Sequence, residues 1–313
     1  MNLSEEIREK LICPITGARL KREGVYLESE TDPNIRYPII GGIPILINER
    51  NSFFLIDDFI QKKTTTFDLR PKMIKKIAGK LMPKISVNLK ARHNYREMAA
   101  LLPKNSKILV LGGSIKGEGM EEIYADKSYE IIGSDVSFGP YTTIISDAHD
   151  IPFEEKTFDG VTVQAVLEHV LDPHRVVAEI YRVLKPAGIV YAETPFMQPV
   201  HMKQYDFTRF THLGHRWLFR NFEEIKSGPC GGPGMALAKS YCGFLQSFTG
   251  SKQIGRAIKI FAHLTSFYFK YFDYYLIDKP GSYDAAAGCF FLGKKSKNRL
   301  SDRSLLNSFK GLK

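Results

Sequence analysis

Tyr129–Phe196 reads YEIIGSDVSFGPYTTIISDAHDIPFEEKTFDGVTVQAVLEHVLDPHRVVAEIYRVLKPAGIVYAETPF. The pattern is strand, acidic turn, strand, acidic loop, strand, helix, strand. Glu130–Gly133 is a short apolar run with Asp135 just past its end, and Thr142–Ser146 is a β-branched run followed by Asp147. Phe158–Gln164 alternates and is rich in Val and Thr, which predicts a strand. Asp172-Pro173 is a helix start, a capping Asp followed by Pro at the first helical position. Val176, Val177, Ile180, Val183 and Leu184 then recur at helical spacing. Lys185-Pro186-Ala187-Gly188 stops that helix, and Ile189–Glu193 is the next strand. The alternation predicts an α/β fold with a mostly parallel, doubly wound sheet covered on both faces.

In such sheets ligands bind outside the carboxyl ends of the strands, which is where Asp135 and Asp147 fall. A carboxylate past the second strand can accept hydrogen bonds from a ribose diol. One past the third can face an adenine amino group. Spacing alone therefore gives a nucleotide-like ligand. Lys107–Leu111 is the first strand of the frame, and Gly112-Gly113-Ser114-Ile115-Lys116-Gly117-Glu118-Gly119 is the turn after it. Glycines there let backbone approach a ligand closely.

The segment DAHDIPFEEKTFDGVTVQAVLEHVLDPHRVVAEIYRVLKPAGIVYAETPF resembles the class I S-adenosylmethionine-dependent methyltransferases, in particular the type 11-like branch. That branch has an acid-Ala-x-x-(Ile/Leu)-Pro-Phe loop, a Phe-Asp strand start, a Leu-Glu-His turn and an Arg-x-Leu-Lys-Pro helix end. The resemblance covers roughly residues 108–196. It implies a Rossmann-like sheet with an antiparallel last strand and S-adenosylmethionine as cofactor. It implies that Asp135 and Val136 hold the ribose, that Asp147 and Ala148 meet the adenine, and that Gly112, Gly113, Ser114 and Gly117 meet the methionine end. Gln164 borders the methyl donor. Glu168 and His169 are the candidate catalytic groups facing the acceptor, with His169 suited by its ordinary pKa to act as a base. Two positions depart from the family: Val110 stands where the first strand has an acid, and Ser114 where the turn has its second Gly.

The chain has 313 residues, 43% of them apolar, enough for one large domain and appendages. Its net charge of +10 lies largely in residues 62–90 and 294–313. Such a balance suits anionic partners, but no Asn-Pro-Pro-Tyr tetrapeptide follows the fourth strand, and no specific nucleic-acid partner is expected. Four widely spaced Cys form no disulfide framework. With no signal segment and no bilayer-length apolar run, a cytoplasmic location is expected, with a membrane-peripheral one as the alternative.

Residues 1–50 resemble a small zinc-ribbon-like unit, through Cys13-Pro14-Ile15-Thr16-Gly17 and the apolar segment 37–46. Thr16 replaces the second thiolate of a zinc knuckle, so no metal is expected there. Residues 51–105 read as a helical connector, with Phe53, Phe54, Leu55, Ile56, Phe59 and Ile60 on one helix face. The methyltransferase domain is expected over 106–295, interrupted by an aromatic, helical insertion at 236–280 and preceded there by a Gly/Pro loop at 227–234. Residues 296–313 read as a loose basic tail. The segment after Pro195 carries His201, Tyr205 and Arg209 as candidate acceptor-binding residues; its His spacing matches no compact metal motif, so no metal is expected here either. The acceptor is read as a small molecule or glycan, methylated on O or N. A homodimer and a peripheral membrane contact through the aromatic helices stay open. So do two other functions: an inactive scaffold on the same fold, and an RNA methyltransferase.

Overall fold

The protein is described from a computed structural model that covers Met1, residues 3–63 and residues 82–312. In chain order its strands are β1 (Leu20–Glu23), β2 (Tyr26–Ser29), β3 (Asp32–Ile40), β4 (Ile43–Leu46), β5 (Lys107–Leu111), β6 (Glu130–Asp135), β7 (Ile144–Ser146), β8 (Phe158–Gln164), β9 (Leu184–Pro195), β10 (Phe222–Gly231) and β11 (Gly288–Lys295). They form one sheet in the order β1-β2-β3-β4-β7-β6-β5-β8-β9-β11-β10. Neighbours from β7 to β9 run parallel. β11 lies antiparallel between β9 and β10, as expected for the last strand.

Successive side chains of a strand point to opposite faces, and here both faces are buried. Leu109 and Leu111 pack into one core and Ile108 and Val110 into the other. The same division separates Val190 and Ala192 from Ile189 and Tyr191. This is why the strands read as nearly continuous apolar runs. The helix Pro173–Val183 covers the first face with Val176, Val177, Ile180 and Val183, all buried. Its Asp172 carboxylate accepts the Arg175 amide at 3.0 Å, a cap worth about 1 kcal/mol. The helix Ala91–Leu101 covers the other face with Ala91, Tyr95 and Met98.

The N-terminal strands are joined to this sheet. β4 runs parallel to β7, with Ile45 opposite Ile145 and Leu46 opposite Ser146. Leu3, Ile7, Leu11, Leu27 and Tyr37 share one core with Leu109 and Val161. Cys13 is buried, its Sγ 3.2 Å from the Tyr37 hydroxyl, while the Thr16 and Ser29 hydroxyls are 3.1 Å apart.

Three local expectations change. The helix expected over residues 53–60 spans only Ile56–Ile60; Phe53 and Phe54 precede it, and the Leu55 amide bonds to Asp58 at 3.4 Å. Residues 227–231 are not loop but the end of β10, where Pro229 is tolerated because β10 is a sheet edge. The glycines that follow serve the helix Pro233–Gln246, whose first amides, Gly234 and Met235, donate to the buried Asp273 at 2.7 and 2.8 Å. A Cβ on Gly232 would lie 2.5 Å from the Asp273 carboxyl carbon. The tail is docked: it forms the helix Asp302–Asn307, and the Lys310 ammonium reaches Glu224 at 3.0 Å. The basic segment 64–81 lies outside the described residues.

The helix His212–Leu218 is capped by Thr211 and buries two of its histidines. His215 is 1% exposed, its ring edge-on to Phe219, and its Nε2 finds no hydrogen-bond partner among the described residues. Burial pushes its pKa down to about 3, and that of His212 to about 4. The unfolded chain binds these protons near the ordinary value of 6.5, so stability falls as pH drops from 6.5 toward 3. At pH 5 the cost for His215 is about 2 kcal/mol. Thermal melts of the wild type at pH 7.5 and 5.0 should show a clear loss at the lower pH, and His215→Phe should lose less. An equal loss in both would show that His215 is not the source.

Candidate active site

The turn after β5 is shaped by close backbone approach. Gly112 has φ +74° and a Cβ there would lie 2.4 Å from a Val166 methyl; one on Gly113 would lie 2.8 Å from the Cα of Gly133. The Ser114 amide donates to Asp135 Oδ2 at 3.0 Å, which ties this turn to the end of β6. A cavity of about 360 Å³ opens there, at the carboxyl ends of β5, β6, β7 and β8.

Of the residues expected to meet the cofactor, Gly112, Gly117, Asp135, Val136, Asp147, Ala148 and Gln164 line this cavity. Gly113 and Ser114 do not; Gly113 packs on Gly133, and Ser114 contributes its amide to Asp135. Asp135 is 7% exposed, and burial raises its pKa against the pull of its backbone hydrogen bonds. Asp147 behaves oppositely. Burial opposes its ionisation, yet hydrogen bonds from His149 and from the Ser52 hydroxyl hold its carboxyl below the usual range. The Asp172 amide donates to His149 Nε2 at 3.1 Å, so the ring proton sits on Nδ1 and faces Asp147 at 2.6 Å.

Several lining residues are not singled out by the sequence pattern. Phe53 and Phe54 form a wall of the cavity and stack on Tyr205, with ring centroids 5.8 and 6.0 Å apart. Glu193, at the carboxyl end of β9, lies at the same kind of strand end that marks Asp135, and that rule would have found it. It is 6% exposed and its pKa is raised by burial. Its Oε2 accepts from Asn88 and Gln164, both at 2.8 Å, and its Oε1 accepts from the Tyr191 hydroxyl. It thus sets a buried acid beside the turn, where Val110 leaves the first strand without one. A Cβ on Gly117 would come within 1.9 Å of Gln164 Oε1, so a side chain there would displace Gln164.

A second cavity, about 350 Å³, adjoins the first and shares Asn88, Glu118, Ala165 and Glu193 with it. Glu168 and His201 line it, as do Thr194, Gln198 and Lys239. Burial drives the Glu168 pKa up to about 8 and that of Lys239 down to about 8. His169 lines the first cavity. The two remaining acceptor candidates face neither. Tyr205 packs its ring on Phe53 and Phe54 and gives its carbonyl to His169 Nδ1 at 2.6 Å. Arg209 is spent on the Asp206 carboxylate and on the carbonyls of Gln198, Thr208 and Pro199. Its guanidinium has its hydrogen bonds at home, so it positions Asp206.

A sheet in which β7, β6, β5, β8, β9, β11 and β10 follow in this order, with cavity-lining acids at the end of β6 and just past β7, is the class I methyltransferase fold. A family model described as "Methyltransferase domain" matches residues 116–192. Among curated proteins, a demethylmenaquinone methyltransferase of Symbiobacterium thermophilum is 39% identical over 75 residues, 19% of this chain and 30% of that protein. A ubiquinone/menaquinone biosynthesis C-methyltransferase of Geotalea daltonii is 30% identical over 125 residues, 40% of this chain and 47% of that protein. The chain spans less than half the length of these relatives. Among solved structures it is similar to a Haemonchus contortus phosphoethanolamine N-methyltransferase 2 in complex with S-adenosyl-L-methionine, at 15% identity and TM-score 0.41, over 65% of this chain and 53% of that one. It is also similar to a SAM-dependent methyltransferase from Methanosarcina mazei, at 18% identity and TM-score 0.38, over 64% and 98%.

Asn88 joins the two cavities to the helix Ala91–Leu101. Its Oδ1 accepts the Ala91 amide at 2.9 Å while its Nδ2 donates to Glu193. Asn88→Ala removes both bonds. It should destabilise the protein by about 1–2 kcal/mol in urea titrations; a loss under about 0.3 kcal/mol would mean that neither bond matters.

Proposed function

We propose that the chain transfers a methyl group from S-adenosylmethionine to an oxygen or nitrogen of a small, polar acceptor of saccharide type. The single observation that carries this reading is the convergence of Asp135, Asp147 and the Gly112 turn on one cavity that opens into a second, polar one. In this reading Asp135 and Val136 hold the ribose, and Asp147 with Ala148 meets the adenine. Gly112, Gly117 and Gln164 surround the methionine end, where Glu193 stands in for the acid absent at Val110. The acceptor sits in the second cavity among Thr194, Gln198, His201 and Lys239, polar groups that suit a hydroxylated molecule. Methyl transfer is a displacement that needs nucleophile, methyl and sulfur in line, and two adjoining cavities provide that alignment.

A hydroxyl acceptor must also lose a proton. Glu168 and His169 lie at the border of the cavities, where that proton is released. Residues 106–295 form the catalytic domain, with 1–50 as a ribbon, 51–105 as a connector, 236–280 as a helical insertion and 296–313 as a tail. The relatives' names point to quinones, an apolar acceptor class. The specific observation favouring a membrane-borne acceptor is the exposed apolar surface of the helices Lys252–Ser266 and Phe269–Leu276, with Phe261, Leu264, Phe272 and Tyr275 each more than half exposed. Among the described residues no helix is long and apolar enough to cross a membrane.

Calorimetric titration with S-adenosylmethionine and S-adenosylhomocysteine tests the cofactor site. The wild type should bind in the micromolar range, and Asp135→Ala should bind at least tenfold more weakly while keeping its circular dichroism spectrum. A folded wild type that binds neither compound would overturn the reading in favour of a scaffold.

A further inference from the structure

We propose that Glu168, His169 and His201 form a binding site for one divalent first-row transition metal ion, open toward the acceptor cavity. Glu168 has no exposed surface, and neither of its carboxylate oxygens is hydrogen-bonded to any described residue. A buried carboxylate in that condition is costly unless a cation answers it. Two ring nitrogens stand close to its Oε1: His169 Nε2 at 3.5 Å and His201 Nε2 at 3.7 Å. One ligand atom from each of the three residues lies within 4.8 Å of the other two. Ligands bound at about 2.0–2.1 Å in a tetrahedral or octahedral shell stand about 3–3.4 Å apart, so small side-chain shifts close the set around an ion.

The outer contacts point the same way. His169 Nδ1 donates to the Tyr205 carbonyl at 2.6 Å, which leaves the lone pair of the neutral ring on Nε2, facing Glu168. His201 Nδ1 lies 3.3 Å from Asp206 Oδ2, and Asp206 is itself clamped by Arg209. His169 thus has one ring nitrogen fixed by a carbonyl and the other presented inward, the arrangement by which proteins orient metal-binding histidines, while His201 is held beside Asp206 by its backbone amide, which donates to Oδ2 at 2.8 Å. This gives the Asp206–Arg209 pair a purpose that binding an acceptor did not. Chain spacing hides the set, because His201 returns to the Glu168-His169 turn only after β9.

Two imidazoles and one carboxylate suit Zn²⁺, Fe²⁺, Co²⁺ or Mn²⁺; Mg²⁺ and Ca²⁺ favour all-oxygen shells. Three protein ligands leave coordination positions free. Resting on the methyltransferase reading above, we assign them to an oxygen of the acceptor. A hydroxyl bound there releases its proton to solvent more readily. Its oxygen then forms the O–CH₃ bond as the S–CH₃ bond breaks, and the electron pair stays on sulfur. The products are the methyl ether, S-adenosylhomocysteine and one proton.

The test is metal binding by full-length protein stripped with a chelator. Titration with Zn²⁺, read by mass-spectrometric metal content after desalting, should give one equivalent per chain. Co²⁺ should give a visible d–d absorption band that Zn²⁺ displaces. His201→Ala and Glu168→Gln should weaken Zn²⁺ binding at least tenfold, and Asp206→Asn by a smaller factor. His201 is half-exposed, so its variant should fold, and it should still bind S-adenosylhomocysteine by calorimetry. Zn²⁺ content below a tenth of an equivalent, or equal affinity in wild type and His201→Ala, would overturn the metal site. Because the calorimetric readout is separate, that result leaves the cofactor reading standing, and loss of cofactor binding alone leaves the metal site standing.

Discussion

A parallel sheet must bury both its faces, and the rest of this molecule follows from that constraint. Helices on each side exclude ligands from the faces and leave the strand ends as the places where polar groups can be exposed without breaking the core. β5 shows the division within five residues, since its side chains enter two different cores. Where the strands stop, backbone amides and carboxylates meet instead: Ser114 with Asp135, and His149 with Asp147. Under the proposed function the reacting surface is therefore the edge formed by the carboxyl ends of the strands.

Along that edge the carboxylates occupy different electrostatic environments. Asp147 is supported by donors from His149 and Ser52 and is held ionised. Asp135 and Glu193 are pushed toward the neutral form by burial, although both accept hydrogen bonds. The Glu168 carboxyl is buried with no hydrogen bond to any described residue. The gradient runs from the outer rim, where Asp147 is ionised, to the border of the two cavities, where burial favours the protonated form of Glu168. A sulfonium or a metal ion arriving near that border would favour loss of the Glu168 proton and so create the charge that balances it.

Much of this was legible in the chain because it depends on local rules. Alternation and helical spacing mark β8 and the helix Pro173–Val183, and Asp172-Pro173 fixes where that helix begins. The acids at the end of β6 and just past β7 declare themselves by position. What the chain conceals is what depends on return. Glu193 looks like the last residue of an apolar strand until Asn88 and Gln164 are placed beside it. Arg209 looks free until Asp206 occupies it. The Gly/Pro run after Ser227 looks like a loop because the carboxylate that justifies Gly232 and Gly234, Asp273, comes from a helix later in the chain. The departure at Val110 looks like a deficit until the sheet brings an acid from β9 to the same turn.

The parallel pair between β4 and β7 also sets an order of assembly. Ile45 pairs with Ile145, so the strands β1 to β4, made before the middle of the sheet, have to wait for it before their inner edge is closed. Contacts so distant in sequence are slow to form, because the intervening chain must be ordered before they repay its entropy. Until then both β4 and β7 present open hydrogen-bonding edges, the surfaces through which chains associate wrongly. Once joined, the ribbon is a permanent guard on that side of the sheet.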